Sequence, residues 1–73
     1  MEDEFLNLCK HLGAVISAKR KLVGLSQEEL AFQAEIDRTY ISQIERGVSN
    51  PSLFVMLKIS KVLKLQLSDL FVT

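Results

Sequence analysis

Residues 26–47 read SQEELAFQAEIDRTYISQIERG. Ser26 followed three residues later by Glu29 fits a capping box: the hydroxyl accepts the N–H of residue 29 and Glu29 reaches back. A helix should therefore start at Ser26, with Leu30, Ala31 and Ala34 turned inward. It must end near Ala34, because Asp37 is itself a good N-cap for another helix. About three residues, Glu35, Ile36 and Asp37, then join two short helices, which is the spacing of a helix-turn-helix. The second helix should run from Arg38 to about Arg46, with Ile41 and Ile44 facing the core and Gly47 as its cap.

That second helix keeps an outward face of Arg38, Thr39, Ser42, Gln43 and Arg46. Helical spacing puts 38, 39, 42 and 46 on one side, with 43 beside them. The chemistry suits base edges in the major groove of duplex DNA, which is about 12 Å wide and admits a helix. Arginine pairs bidentately with guanine, glutamine with adenine, the threonine methyl touches thymine, and serine donates or accepts. The free N–H groups at the starts of both helices, Ser26 and Gln27 among them, suit phosphates. Gly47 to Asn50, including Ser49, lack bulk and can approach a backbone closely. The plainer alternative is a solvated surface. Against it, the face is poor in Lys and Glu and carries Gln together with Thr, Tyr and Ser, the last three of which lower helix propensity.

Upstream, Phe5, Leu8, Cys9, Leu12, Val15, Ile16, Leu22 and Val23 recur at steps of three and four, marking an amphipathic helix that Gly24 ends in a left-handed cap. Asp3 and Glu4 suit its positive end, and Lys19, Arg20 and Lys21 its negative end. Downstream, Asn50-Pro51 signals a turn and Ser52 caps a fourth helix containing Leu53, Phe54, Val55, Met56, Leu57, Ile59, Val62 and Leu63. Ser68 should cap a last short helix from Asp69 to Val72. The expectation is all-α: a compact five-helix bundle, one domain over residues 1–73, with no strand pattern outside the ambiguous LKLQLSDLF.

A chain of 73 residues buries only about 60% of its unfolded surface, so a partner would help it. Hydrophobic residues make up 48% and charged residues 25%, a globular balance. Nine acidic and nine basic residues cancel, so any basic footprint must be local. A single cysteine, Cys9, allows no intrachain disulfide and suggests a reduced cytoplasmic setting. MEDEF lacks the basic flank and apolar run of a signal peptide, and no apolar stretch reaches the roughly 18 residues needed to span a bilayer. Cys9 and His11 stand two apart on a helix and cannot chelate together. One cysteine and one histidine give neither a triad nor a metal cluster, so no enzyme, cofactor, metal or small-molecule substrate is expected.

The stretch GLSQEELAFQAEIDRTYISQIERGVSNPSL resembles the Cro/C1-type (XRE-like) helix-turn-helix family, which includes lambdoid phage repressors. More narrowly, DRTYIS-x-IERG with NPSL resembles controller proteins of bacterial restriction–modification systems. The resemblance implies five helices, a two-fold dimer and an operator with symmetric half-sites. It implies base readers at Arg38, Thr39, Ser42 and Gln43. It implies phosphate or groove-edge contacts at Ser26, Gln27, Arg46 and Asn50, with Tyr40 beside them, and an ion pair of Arg20 with Glu45 tying helix one to helix three. The family commonly has glycine where this chain has Glu35; a left-handed turn there costs a non-glycine residue on the order of 1 kcal/mol. Glu28 and Glu35 are expected to form an acidic surface for RNA polymerase.

One recognition helix reads only about four or five base pairs, so two copies about 34 Å apart are expected on a pseudo-palindromic operator. Helix four is apolar nearly all round, and Leu65, Leu67, Leu70, Phe71 and Val72 crowd the end of the chain. Leu67 and Leu70 are expected inward, and Val55, Ile59, Leu65 and Phe71 at a homodimer interface. The expected function is a DNA-binding transcription regulator that activates or represses an operon. The alternative, favoured by the neutral net charge, is a protein-interaction module of antitoxin or scaffold type.

Overall fold

The computed structural model describes residues 2–71. Helix α1 spans Glu2–Leu22, α2 Gln27–Ala34, α3 Arg38–Glu45 and α4 Leu53–Val62, and a 3₁₀ turn follows at Leu67–Phe71. Helices α2, α3 and α4 each begin on a side-chain cap, and every α-helix ends on a local turn. The Ser26 hydroxyl accepts from the Glu29 N–H at 3.0 Å, and the Ser26 N–H donates to Glu29 Oε1 at 2.8 Å, so the capping box is complete. The Asp37 carboxylate accepts from the Thr39 N–H at 2.7 Å, and the Ser52 hydroxyl from the Val55 N–H at 3.1 Å.

All four α-helices end in one pattern. A left-handed residue lets the next N–H reach back to the last turn: Leu25 to the Arg20 carbonyl, Ile36 to Ala31, Val48 to Gln43 and Leu65 to Ser60, at 2.8–3.1 Å. The left-handed residues are Gly24, Glu35, Gly47 and Lys64. Two are glycines, at home there. Glu35 (φ 56°) and Lys64 (φ 59°) each carry a strain of about 1 kcal/mol. The missing glycine in the α2–α3 turn therefore leaves its geometry intact, and the strain is tolerated.

The core draws on every element. Ile16, Leu30, Ile41, Ile44, Ile59 and Leu70 are fully buried, joined by Leu12, Ala31, Met56 and Leu63. Helix α3 packs on α1 and α2, α2 on α4, and the 3₁₀ turn bridges α1 and α4.

Three expectations need correcting. The fold is all-helical, but it has four α-helices and a single 3₁₀ turn among the described residues, not five helices. Ser68 does not cap the last segment; Asp69 does, its carboxylate accepting from the Gln66 N–H at 2.9 Å while the Asp69 N–H donates to the Gln66 carbonyl. Five residues are too few to repay an α-helical nucleus, so the tighter turn wins. Val72 lies outside the described residues. Second, α1 starts at Glu2 with Asp3 and Glu4 in its first turn, as expected, but its apolar stripe is only partly covered and its first buried side chain is Cys9. Phe5, Leu8, Leu22 and Val23 are exposed, because among the described residues no other element covers the ends of so long a helix. Third, Ile59 is fully inside the core, so its side chain is not available to a partner. Helix α4 is too hydrophobic for its composition alone to show which side faces inward.

Candidate nucleic-acid interface

Helix α3 has eight residues, too few to hold helical form alone. Tertiary contacts must therefore fix both its shape and its aim. Ile41 and Ile44 anchor it to the core. The opposite side is open: Arg38, Thr39 and Arg46 are exposed, Ser42 and Gln43 half-buried. Among the hydrogen bonds of the described residues, none engages the side chains of these five. Unspent donors and acceptors on a braced helix are what reading base edges requires.

The brace is a buried polar knot at the far end of α3. Arg20 donates from Nε to Glu45 Oε2 at 2.7 Å and from Nη2 to Oε1 at 2.9 Å, a bidentate pair. Its Nη1 donates to the Leu25 carbonyl at 2.8 Å, and Gln27 Nε2 donates to Glu45 Oε1 at 3.0 Å. One carboxylate thus ties the end of α3 to the end of α1, and to the start of α2. The two side chains keep 10% and 5% of their surface exposed, so the ions satisfy each other away from water. Bonding to Glu45 raises the Arg20 guanidinium above its ordinary range. Burial alone would push the Glu45 carboxyl up, but the bonds from Arg20 and Gln27 outweigh it and hold it below the usual carboxylate range.

Two glycines bring α1 and α3 together. A Cβ on Gly13 would lie 2.3 Å from the Ile44 carbonyl oxygen and 2.7 Å from that of Glu45, both backbone atoms with nowhere to go. A Cβ on Gly47 would meet the Lys10 Cα at 2.7 Å, and its φ is 75°. Only bare backbone at both places lets the end of α3 rest on α1. The importance of Gly13 escaped the sequence reading. Its signal was there: glycine inside a helical pattern costs about 1 kcal/mol against alanine and calls for a packing reason.

The flanking residues divide. Ser26 is exposed, but its hydroxyl oxygen and N–H serve the capping box. Gln27, expected at the DNA backbone, turns inward to Glu45 in the free chain, because that carboxylate has a lone pair to spare. Tyr40 is half-buried with its ring against the core, so packing claims it first. Ser49 is half-buried and Asn50 exposed in the loop that follows α3, beside the buried Pro51. Among the described residues, no cluster of His, Cys, Asp or Glu could hold a metal, and no helix is long and apolar enough to cross a membrane.

Comparison with known proteins agrees with this geometry. The helix-turn-helix family profile matches residues 16–70. The control protein C.BamHI of Bacillus amyloliquefaciens is 56% identical over 46 residues, covering 63% of this chain and 57% of that protein. The chain therefore spans little more than half the length of that relative. The restriction-modification controller protein C.AhdI of Aeromonas hydrophila superposes with a TM-score of 0.85 at 38% identity, covering 86% of this chain and 96% of that one. SinR, a master regulator for biofilm formation solved in complex with DNA, superposes at 0.79 and 38% identity, covering 81% and 95% of the two chains. With that profile spanning most of its length and the same helices in the same places, the chain belongs to the Cro/C1-type (XRE-like) helix-turn-helix family.

Proposed function

We propose that this chain is a sequence-specific DNA-binding transcription regulator, a controller of a restriction–modification operon, working in the cytoplasm. The observation that carries this is the open face of α3: Arg38, Thr39, Ser42 and Gln43 unpartnered on a helix held at its other end by the Arg20–Glu45 pair. In this reading α3 lies in the major groove with its N-terminal residues at the base edges. Arg46, Ser49 and Asn50 flank it at the phosphates, with the free N–H groups that open α2. Ser26, Gln27 and Tyr40 join them to the extent that their protein contacts allow. A gel shift against random competitor at stated salt tests the proposal. The expected result is a retarded duplex recovered by selection from a randomised library, resisting competitor by at least about a thousandfold. Binding that random competitor abolishes equally would favour the protein-interaction reading.

Specificity calls for two copies. The homodimer is supported by the exposed apolar side chains Phe5, Leu6, Leu8, Leu57 and Phe71, more than a lone small domain ordinarily shows to water. Val55 and Leu65 are half-buried and can contribute at the edge of such an interface. Sedimentation should give twice the chain mass, and Phe71→Glu should give monomers that bind DNA poorly. A second partner, RNA polymerase, is proposed for the exposed Glu28 and Glu35. Charge reversal at both should spare DNA binding and lower activated transcription; unchanged activation would remove this partner.

A further inference from the structure

The left-handed cap at Glu35 differs from the other three. Among the described residues, it is the one cap whose own carbonyl accepts a bond from a side chain of another helix: Lys58 Nζ, on α4, donates to the Glu35 carbonyl at 3.2 Å. Lys64 has nearly the same backbone conformation and is held only by the local bonds that end α4. The lysine is itself steadied, its ammonium lying 5.1 Å from the centroid of the Phe54 ring one turn earlier on α4. Two residues beyond Glu35 stands Asp37, the N-cap of α3, and directly after it come Arg38 and Thr39. Whatever fixes the Glu35 peptide plane therefore fixes the direction in which α3 leaves the turn.

We propose that Lys58 is a positioning residue for DNA recognition: it pins the carbonyl of a strained, non-glycine turn and so sets the entry angle of α3. The inference rests on the DNA-binding reading for its function, and on geometry alone for its structural half. A lysine bridging α4 to the turn does what a glycine in the turn would otherwise make unnecessary, since glycine rests in the left-handed region without help. Lys58 and Glu35 are then energetically coupled through the turn.

The test is a double-mutant cycle of Lys58→Met and Glu35→Gly on the full chain. Methionine keeps the stem over Phe54 and removes only the charged donor. Operator affinity is measured over a range of salt, using the duplex selected by the wild-type chain. Lys58→Met should weaken binding roughly fivefold in the wild-type background, the scale of one exposed charge-assisted bond. The salt slope should not change, and in the Glu35→Gly background the loss should vanish. An equal loss in both backgrounds, or a salt slope lower by about one, makes Lys58 a direct phosphate contact and overturns the proposal. Lys58→Arg, which keeps a donor, should restore most of the affinity. Amide exchange supplies a readout without DNA. The Ile36 N–H, bonded to the Ala31 carbonyl at 2.9 Å, should exchange faster in Lys58→Met but not in the double mutant. If the wild-type chain binds no DNA, the functional reading fails, and the exchange cycle still decides whether Lys58 holds the turn.

Discussion

Arg20 and Arg38 carry the same guanidinium and put it to opposite use. Arg20 is buried, all its strong bonds made inside the protein, and it holds three helices around Glu45. Arg38, at the first position of α3, is exposed, and no hydrogen bond among the described residues engages its side chain. The comparison extends to Gln27, spent on Glu45, and Gln43, left free. Residue type does not separate a brace from a reader. What separates them is whether a neighbouring element stands opposite. The brace makes the reader useful, because a free side chain on a loosely held helix would sample many directions and discriminate little.

Breaking the brace should have the largest effect. Glu45→Ala strands a buried guanidinium and should cost about 3–5 kcal/mol in urea unfolding, with the midpoint falling and the slope unchanged. DNA binding should fall with it although Glu45 touches no base. A loss under about 1 kcal/mol would mean that water reaches Arg20 and that the two arginines differ little in surroundings. Next comes the close approach of α1 and α3. Gly13→Ala would ordinarily help a helix, but here the added methyl meets backbone oxygens at 2.3 and 2.7 Å, so the expected outcome is a loss of about 1–3 kcal/mol. Thermal unfolding reads the sign directly.

The reader should behave in the reverse way. Arg38→Ala should leave stability within about 0.5 kcal/mol of wild type and weaken operator binding by about 1–3 kcal/mol, relaxing specificity at one base pair. Equal weakening on every sequence would make Arg38 a phosphate contact. The smallest effect is in pH. The folded-state pKa of Glu45 is depressed, so its contribution is present at neutral pH, above the ordinary glutamate value. It should fade as acid carries the solution down through the lowered value. A chemical-denaturation series from neutral to acid pH should show this decline, and Glu45→Gln should flatten it from an already lower starting stability.

Much of this was legible in the chain itself, for reasons that are local. Ser26 and Glu29 find each other within one turn, Asp37 caps its own helix, and Gly24 and Gly47 stop helices because only a residue without a side chain is comfortable there. The exposed face of α3 followed from helical period alone. Where packing decides, the reading went astray. Phe5 and Leu8 belong to an apolar stripe that no other described element covers, Ile59 lies in the core and not at a partner's surface, and the last segment is too short to be the fifth helix. The inward turn of Gln27 depends on a carboxylate eighteen residues away in the sequence.

The sequence by itself determined where α2 and α3 start and stop, where α1 stops and where α4 starts, because caps and turns are agreements between residues a few positions apart. It also determined which residues α3 turns outward, because the period of a helix is the same everywhere. Only the tertiary structure decided that Arg20 is a brace while Arg38 stays exposed, that Gly13 is a seat for α3, and that Lys58 meets the Glu35 carbonyl. Each of those depends on a second element arriving from far along the chain, and a bond between distant residues exists only once the core has brought their helices together.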